Sequence, residues 1–331
     1  MTERMESEPI LEVADLRKSY RTAGSASGSQ KLVPALDGVS LVLHQSESLG
    51  IVGESGCGKS TLARCLVMLE HPDAGSVRYR GTEVTQARGA DLRTVRGRIQ
   101  MVFQDPFSSL NPRMTVRDAI LEAVRVHRSA EPGEEDAFVS ELLAMIGVPE
   151  AVAAKRPGRM SGGQRQRISL ARAVAVRPEV LVADEIVSAL DVSIQAQILN
   201  LLSDMRRRLG LSIVFISHDL AVVAQTTDRI AVMYLGRIVE EGPTARIFGN
   251  PRHPYTRALL ASHPEPNDGG LSDVPPLVGE IPSIFDLPTG CRFRTRCAFA
   301  TDECAGSEPV LGETRNGQSV ACHVRPFDPG S

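Results

Sequence analysis

The stretch Leu49-Gly50-Ile51-Val52-Gly53-Glu54-Ser55-Gly56-Cys57-Gly58-Lys59-Ser60-Thr61 constrains this chain more than any other. An apolar run, a glycine loop and a helix-compatible segment in direct succession predict a buried strand that turns sharply into a helix. The pattern G-x-x-x-x-G-K-[ST] is complete at Gly53, Gly58, Lys59 and Ser60. Gly53, Gly56 and Gly58 permit the tight turn that aims successive backbone N–H groups at an anion on a helix N-terminus. The candidate triphosphate-binding set is therefore Gly53, Ser55, Gly56, Cys57, Gly58, Lys59, Ser60 and Thr61. Lys59 is expected against the β- and γ-phosphates and the Ser60 hydroxyl on Mg²⁺. About one chain in a hundred of this length would carry the pattern by chance. Alone, it predicts a bound nucleoside triphosphate and nothing more.

Composition narrows the surroundings. With 331 residues, 42% hydrophobic and 23% charged, the chain can bury a large core in roughly two domains. A net charge of -3 gives no global pull toward nucleic acid. The run Arg206-Arg207-Arg208 is the one basic cluster, and on a predicted helix it reads as a solvated face. No run approaches the ~18 apolar residues that a membrane span needs, and the acidic opening Met1 to Glu6 lacks a signal-peptide core. The expectation is a cytosolic chain that is able to dock on a membrane protein. Cys57 and Cys65 stand alone and are expected reduced.

Taken in order, Ile10 to Tyr20, Leu36 to Leu43 and Ser76 to Tyr79 read as β-strands of a small antiparallel sheet, with a flexible loop at Arg21 to Gln30. A helix is predicted over Ser60 to Leu69, a strand over Ile99 to Phe103, and a helical insert from Val116 to about Gly158. Helices over Ser161 to Ala175 and Ile194 to Leu209 alternate with strands at Val180 to Ala183 and Ser212 to Ile216. Strands alternating with helices predict an α/β fold with a mainly parallel sheet and a site at the strands' C-terminal ends.

One such end carries Asp184 and Glu185 directly after four apolar residues. A carboxylate at the tip of a central strand can hold Mg²⁺, and the next residue is placed to polarise an attacking water. Two adjacent acids at a buried strand end repel unless a cation sits there. An acidic turn of no further meaning is the alternative.

From here the order of motifs resembles the nucleotide-binding subunit of ATP-binding-cassette transporters over about Ile10 to Phe248. The carrying residues are GESGCGKS at Gly53 to Ser60, Gln104 after a strand, MSGGQ at Met160 to Gln164, ADE at Ala183 to Glu185, SALD at Ser188 to Asp191, and His218. The resemblance implies a RecA-like P-loop NTPase core with an antiparallel β subdomain and a helical subdomain at about 105–160, all within residues 1–250. It implies ATP hydrolysis with Glu185, His218, Lys59 and Gln104 as the catalytic group. Mg²⁺ would be held by Ser60, Gln104 and Asp184, and Tyr20 would stack on adenine. It also implies a head-to-tail dimer in which Ser161, Gly162, Gly163, Gln164 and Asp191 complete the site of the opposing subunit. Two departures are visible. Met160 stands where leucine is usual, and Ile186 replaces a proline, which frees the backbone at Glu185 and bears on the hydrolysis rate. The turn His44-Gln45-Ser46-Glu47, usually glycine-bearing, has no assigned role.

Within that family the chain is similar to the oligopeptide and dipeptide importer ATPases, through QDPFSSLNPR at Gln104 to Arg113 and NPRHPYTRALL at Asn250 to Leu260. The implied partners are a second cassette subunit, identical or paralogous, two transmembrane permease subunits and, indirectly, an extracytoplasmic solute-binding protein. The implied place is the cytoplasmic face of the cell membrane. The solute is open, and the rival is a soluble cassette ATPase acting on nucleic acid or ribosomes. Residues 251–331 form the expected C-terminal extension. Its Cys291, Cys297, Cys304 and Cys322 are separated by five, six and seventeen residues, without the C-x-x-C pairs usual for structural zinc. Four thiols also suit a [4Fe–4S] cluster, so iron–sulfur, zinc and unliganded cysteines all stay open. His323 stands beside Cys322 as an alternative ligand.

Overall fold

The computed structural model describes residues 8–21, 31–105, 110–188, 190–262, 279–313 and 317–324. The expected flexible loop lies almost wholly outside the described residues, as do residues 106–109 of the QDPFSSLNPR run.

Two sheets organise the chain. In the first, β1 (Pro9–Arg21) pairs antiparallel with β2 (Leu32–His44) and with β4 (Ala74–Tyr79), and β5 (Thr82–Glu83) closes the edge in the order β2-β1-β4-β5. The second sheet contains β3 (Ser48–Val52), β6 (Ile99–Val102), β7 (Val180–Asp184), β8 (Ser212–Ile216), β9 (Arg229–Tyr234), β10 (Arg237–Pro243), β11 (Gly312–Glu313) and β12 (Ser319–Val320). Its order is β11-β12-β10-β9-β3-β8-β7-β6. Strands β9, β3, β8, β7 and β6 run parallel, whereas β10, β12 and β11 add antiparallel to one side.

Burial on both faces explains why these central strands read as continuous apolar runs. Along β7, Val180 and Val182 face a core shared with β1, β2 and the helix Lys59–Leu66, while Leu181 and Ala183 face the opposite, helix-covered core. Each fully buried Val or Leu contributes about 1.5–3 kcal/mol. The helices Val116–His127 and Glu135–Met145 form the expected insert. Thr115 accepts the Asp118 N–H to start the first of them, and Arg117 ties it to Asp136 and Glu150.

The loop without an assigned role has a structural one. Ser46 takes a left-handed backbone (φ 58°), and His44 N–H donates to Glu47 Oε2 (2.8 Å). Ser46 O accepts from Arg206 (2.6 Å), and Glu47 pairs with Arg229 (3.0 Å). Arg206 also pairs with Asp228, and Arg207 with Asp204, while Arg207 and Arg208 lie on an exposed face.

The C-terminal segment adds β12 to β10 with Glu240 opposite Val320, and Arg292 reaches back to Asp37 and to the Leu235 carbonyl. A stretch poor in apolar residues is stabilised here by joining an existing sheet and pairing its charges with the cassette.

Candidate nucleotide site

Strand β3 lies between β9 and β8, so its C-terminal end opens at the middle of the parallel strands. There Gly53 approaches the backbone so closely that a Cβ would lie 2.1 Å from the Met233 carbonyl oxygen. Gly58 takes φ 109°, and a Cβ on it would meet the Ala35 carbonyl oxygen at 2.3 Å. No other residue fits either position, and the loop passes directly into the helix Lys59–Leu66. The Lys59 ammonium is 5% exposed and donates to the carbonyls of Gly53 (2.7 Å) and Glu54 (3.0 Å). Cys57 is buried, and desolvation pushes its thiol up despite the nearby Lys59.

The neighbouring strand ends bring the acids alongside. Asp184, at the tip of β7, is 5% exposed, and Ser60 Oγ donates to its Oδ1 (3.3 Å). Burial raises the Asp184 carboxyl above its ordinary range, and the Glu185 charge raises it further. The fit to a divalent cation is direct: a buried carboxylate, a hydroxyl within hydrogen-bond distance of it, and a second acid next to it make a concentration of negative charge that a cation would offset. Around Glu185 three elements converge. Gln104 Nε2 donates to Glu185 Oε2 (2.9 Å) from the end of β6. His218 Nδ1 lies 3.4 Å from Oε1 after β8, and Ser188 Oγ donates to the Glu185 carbonyl (3.0 Å). The Glu185 backbone is left-handed (φ 48°), an uncommon state for a glutamate, and is tied by its N–H to the Ile216 carbonyl (2.9 Å). Ile186 is 2% exposed, so packing and this bond locate Glu185 where proline was expected to.

One aromatic frames the entrance. Tyr20 ends β1 with 38% of its surface exposed, and its hydroxyl bonds to Glu70 and lies 3.3 Å from Thr61 Oγ1. The Lys18 ammonium sits 5.9 Å from the centre of its ring, over one face.

The remaining sequence-selected residues occupy two adjacent helix starts. Ser161 caps the helix Gly162–Val174 in a reciprocal box: its hydroxyl accepts from Gln164 N–H (3.3 Å), and Gln164 Oε1 accepts from Ser161 N–H (3.1 Å). Asp191 caps Val192–Leu209 by accepting from Ile194 N–H (3.0 Å). A Cβ on Gly163 would lie 2.6 Å from Ile194 Cγ2, so the two helix starts pack closely only with glycine there.

The four tail cysteines correct one expectation. Among the described residues no three of His, Cys, Asp or Glu form a group that could hold a metal ion, so neither an iron–sulfur nor a zinc site is supported on Cys291, Cys297, Cys304 and Cys322. The thiols are electrostatic neighbours, but burial dominates: it pushes Cys291 up to about 11 and raises Cys297 as well. His323 instead approaches the Ser307 carbonyl (3.0 Å) and Glu303.

Sequence reading missed one part of the site. Glu54, the second residue of the loop, donates its N–H to Tyr255 Oη (2.9 Å), and Arg296 grips its carboxylate at 2.7 and 3.0 Å. Both partners lie some two hundred residues away, and only NPRHPYTRALL, which contains Tyr255, drew attention to the region.

A parallel sheet with a glycine loop on one inner strand and paired acids two strands along defines a nucleotide-hydrolysing P-loop protein. The sequence profile of the ABC transporter family matches residues 36–188, and that of the oligopeptide/dipeptide transporter C-terminal region matches 239–304. The chain is 47% identical to the peptide ABC transporter ATP-binding protein y4tS of Sinorhizobium fredii, covering 96% of this chain and 91% of that one. It is 45% identical to the oligopeptide transport ATP-binding protein AppF of Bacillus subtilis, covering 96% and 98%. Among solved structures it is similar to the dimeric post-hydrolysis state of the cassette MJ0796 bound to ADP and Pi (TM-score 0.63, 28% identity, 71% of this chain and 98% of that one). It is also similar to cbiO1 of Clostridium perfringens, part of a transporter complex (TM-score 0.62, 27% identity, 73% and 92%). The chain belongs to the ATP-binding-cassette transporter family and is an ATPase of that family.

Proposed function

We propose that this chain is the ATP-hydrolysing subunit of an importer for peptides or similar small solutes, working as one half of a head-to-tail cassette dimer beneath two permease subunits. The observation that carries the catalytic part is the convergence of Gln104, His218 and Ser188 on Glu185, one residue from the Asp184–Ser60 pair. Peptide import is supported by the C-terminal match over 239–304 and by what the relatives are named for.

In this reading, Lys59 and the N–H groups of Gly53 to Thr61 hold the β- and γ-phosphates, and Tyr20 stacks on adenine. Ser60, Asp184 and Gln104 would hold Mg²⁺, which supplies charge neutralisation on the phosphate oxygens. Glu185 accepts a hydrogen bond from the attacking water and polarises it toward the γ-phosphorus. His218 and Gln104 keep that carboxylate aimed. The helix start at Ser161, Gly162, Gly163 and Gln164, with Asp191 at the seam, faces the γ-phosphate of the opposing subunit, where a helix N-terminus stabilises negative charge. An extracytoplasmic solute-binding protein delivers the cargo. No described helix is long and apolar enough to cross a membrane, which suits a peripheral place on the cytoplasmic face.

The test is purification of the chain from gently solubilised membranes, followed by mass spectrometry. Two multi-span permease chains and a second cassette subunit are expected. Recovery with ribosomes or nucleic acid instead would overturn the transport reading and leave the ATPase chemistry.

A further inference from the structure

The tail touches the phosphate loop at Glu54. Glu54 follows Gly53 directly, and its three polar groups are all engaged. Its carbonyl accepts from Lys59, its N–H donates to Tyr255, and its carboxylate lies in a two-pronged pair with Arg296. The Arg296 side chain is 5% exposed and that of Glu54 is 20% exposed. The guanidinium also sits 5.9 Å over the Tyr234 ring. Tyr234 packs at 4.6 Å on Tyr255 and 5.4 Å on Phe293, so the residues that place Arg296 are a buried aromatic cluster shared by β9, the helix Pro254–Ala261 and the tail.

A carboxylate inside an anion-binding loop works against its ligand. Placed bare beside a triphosphate, Glu54 would repel it, and the low exposure of the site would weaken solvent screening of that repulsion. A planar guanidinium that donates to both oxygens cancels the charge and fixes the loop's second residue in orientation.

We infer that Arg296 is a positioning residue for the nucleotide: by neutralising and orienting Glu54 it makes the C-terminal segment a determinant of how tightly the phosphate loop holds ATP. The inference rests on the nucleotide reading of Gly53 to Thr61. It acts through charge, so the effect must grow with the number of phosphates. Removing the carboxylate must also undo the loss caused by removing the guanidinium.

The experiment measures affinities for ATP, ADP and AMP by calorimetry on the full chain, with thermal unfolding to establish equal folded fractions. Arg296→Ala is expected to weaken ATP binding about tenfold, ADP less and AMP least. Arg296→Lys should fall between, because an ammonium cannot reproduce the two-pronged pair. The double variant Arg296→Ala/Glu54→Gln should recover most of the ATP affinity. Glu54→Gln alone, which keeps the chain's cation, should bind ATP at least as tightly as the unaltered protein. An equal loss across the three nucleotides, no recovery in the double variant, or weaker ATP binding by Glu54→Gln would overturn the inference. Failure of the unaltered chain to bind ATP, with Lys59→Ala no different, would instead overturn the loop assignment on which it rests.

Discussion

The phosphate-loop end of the parallel strands and the C-terminal segment are built on opposite principles. At the first, Gly53, Asp184, Glu185, Gln104 and His218 lie at or just past the ends of strands of one parallel sheet, so rigid elements place each group. In the second, two-residue strands and turns are fastened by Arg292 to Asp37, by Arg296 to Glu54 and by the pairing of β12 with β10. Chemistry is carried by what the core fixes, and the attachment that adjusts it is carried by what single ion pairs fix. The two regions should therefore respond differently to substitution and to pH.

The largest separation is expected at Glu185. Glu185→Gln should retain ATP binding while steady-state hydrolysis falls by about a hundred- to ten-thousandfold; phosphate release assays check this, and full turnover would remove Glu185 from its role. Lys59→Ala should act on binding instead, weakening ATP affinity about ten- to a hundredfold through loss of charge-assisted hydrogen bonds. Unchanged affinity by calorimetry would remove Lys59 from the site.

On the tail side, His253 supplies a pH-dependent contrast. It is 1% exposed, accepts the Tyr255 N–H at Nδ1 (3.0 Å), and desolvation lowers it from 6.5 to about 3. Between those values the unfolded chain binds the proton and the folded chain does not. Stability therefore rises with pH across that window and falls as pH drops below about 6.5, by up to about 1.4 kcal/mol per unit from this one group. His253→Asn keeps a cap for the helix Pro254–Ala261 but does not titrate, so denaturant midpoints at pH 5 and 7 should differ less in the variant. The smallest effect is expected from Tyr255→Phe, which removes the acceptor of Glu54 N–H. A loss of about 1 kcal/mol in stability, read from the same midpoints, would match one hydrogen bond.

The same contrast explains what the sequence made legible. The site roles of the helix starts at Ser161 and Asp191 came only with the family resemblance. The loop and the acid pair were readable because each is a local pattern: glycine where only glycine fits, carboxylates after an apolar run. Residue spacing along one element encodes such features. The Arg296–Glu54 pair spans 242 positions, and nothing in the local sequence of either residue signals the other. The cysteines show the converse failure. Four of one residue type in a short stretch invited a metal site, but composition cannot report whether thiols converge, and among the described residues they form no metal-ligand group. The tail strands were missed for a related reason: two residues are too few for a period to show.

The pairing of β12 with β10 has a consequence for the chain's behaviour in crowded solution. Ala321 N–H donates to the Val239 carbonyl (2.8 Å), and Ser319 lies opposite Glu241, so the tail occupies the hydrogen-bonding edge of a long sheet. A chain shortened before Ser319 would leave the donors and acceptors of β10 open to strands from other molecules, the usual opening for sheet-to-sheet aggregation. The last described strands thus serve as a hem, and their loss would be felt first in solubility.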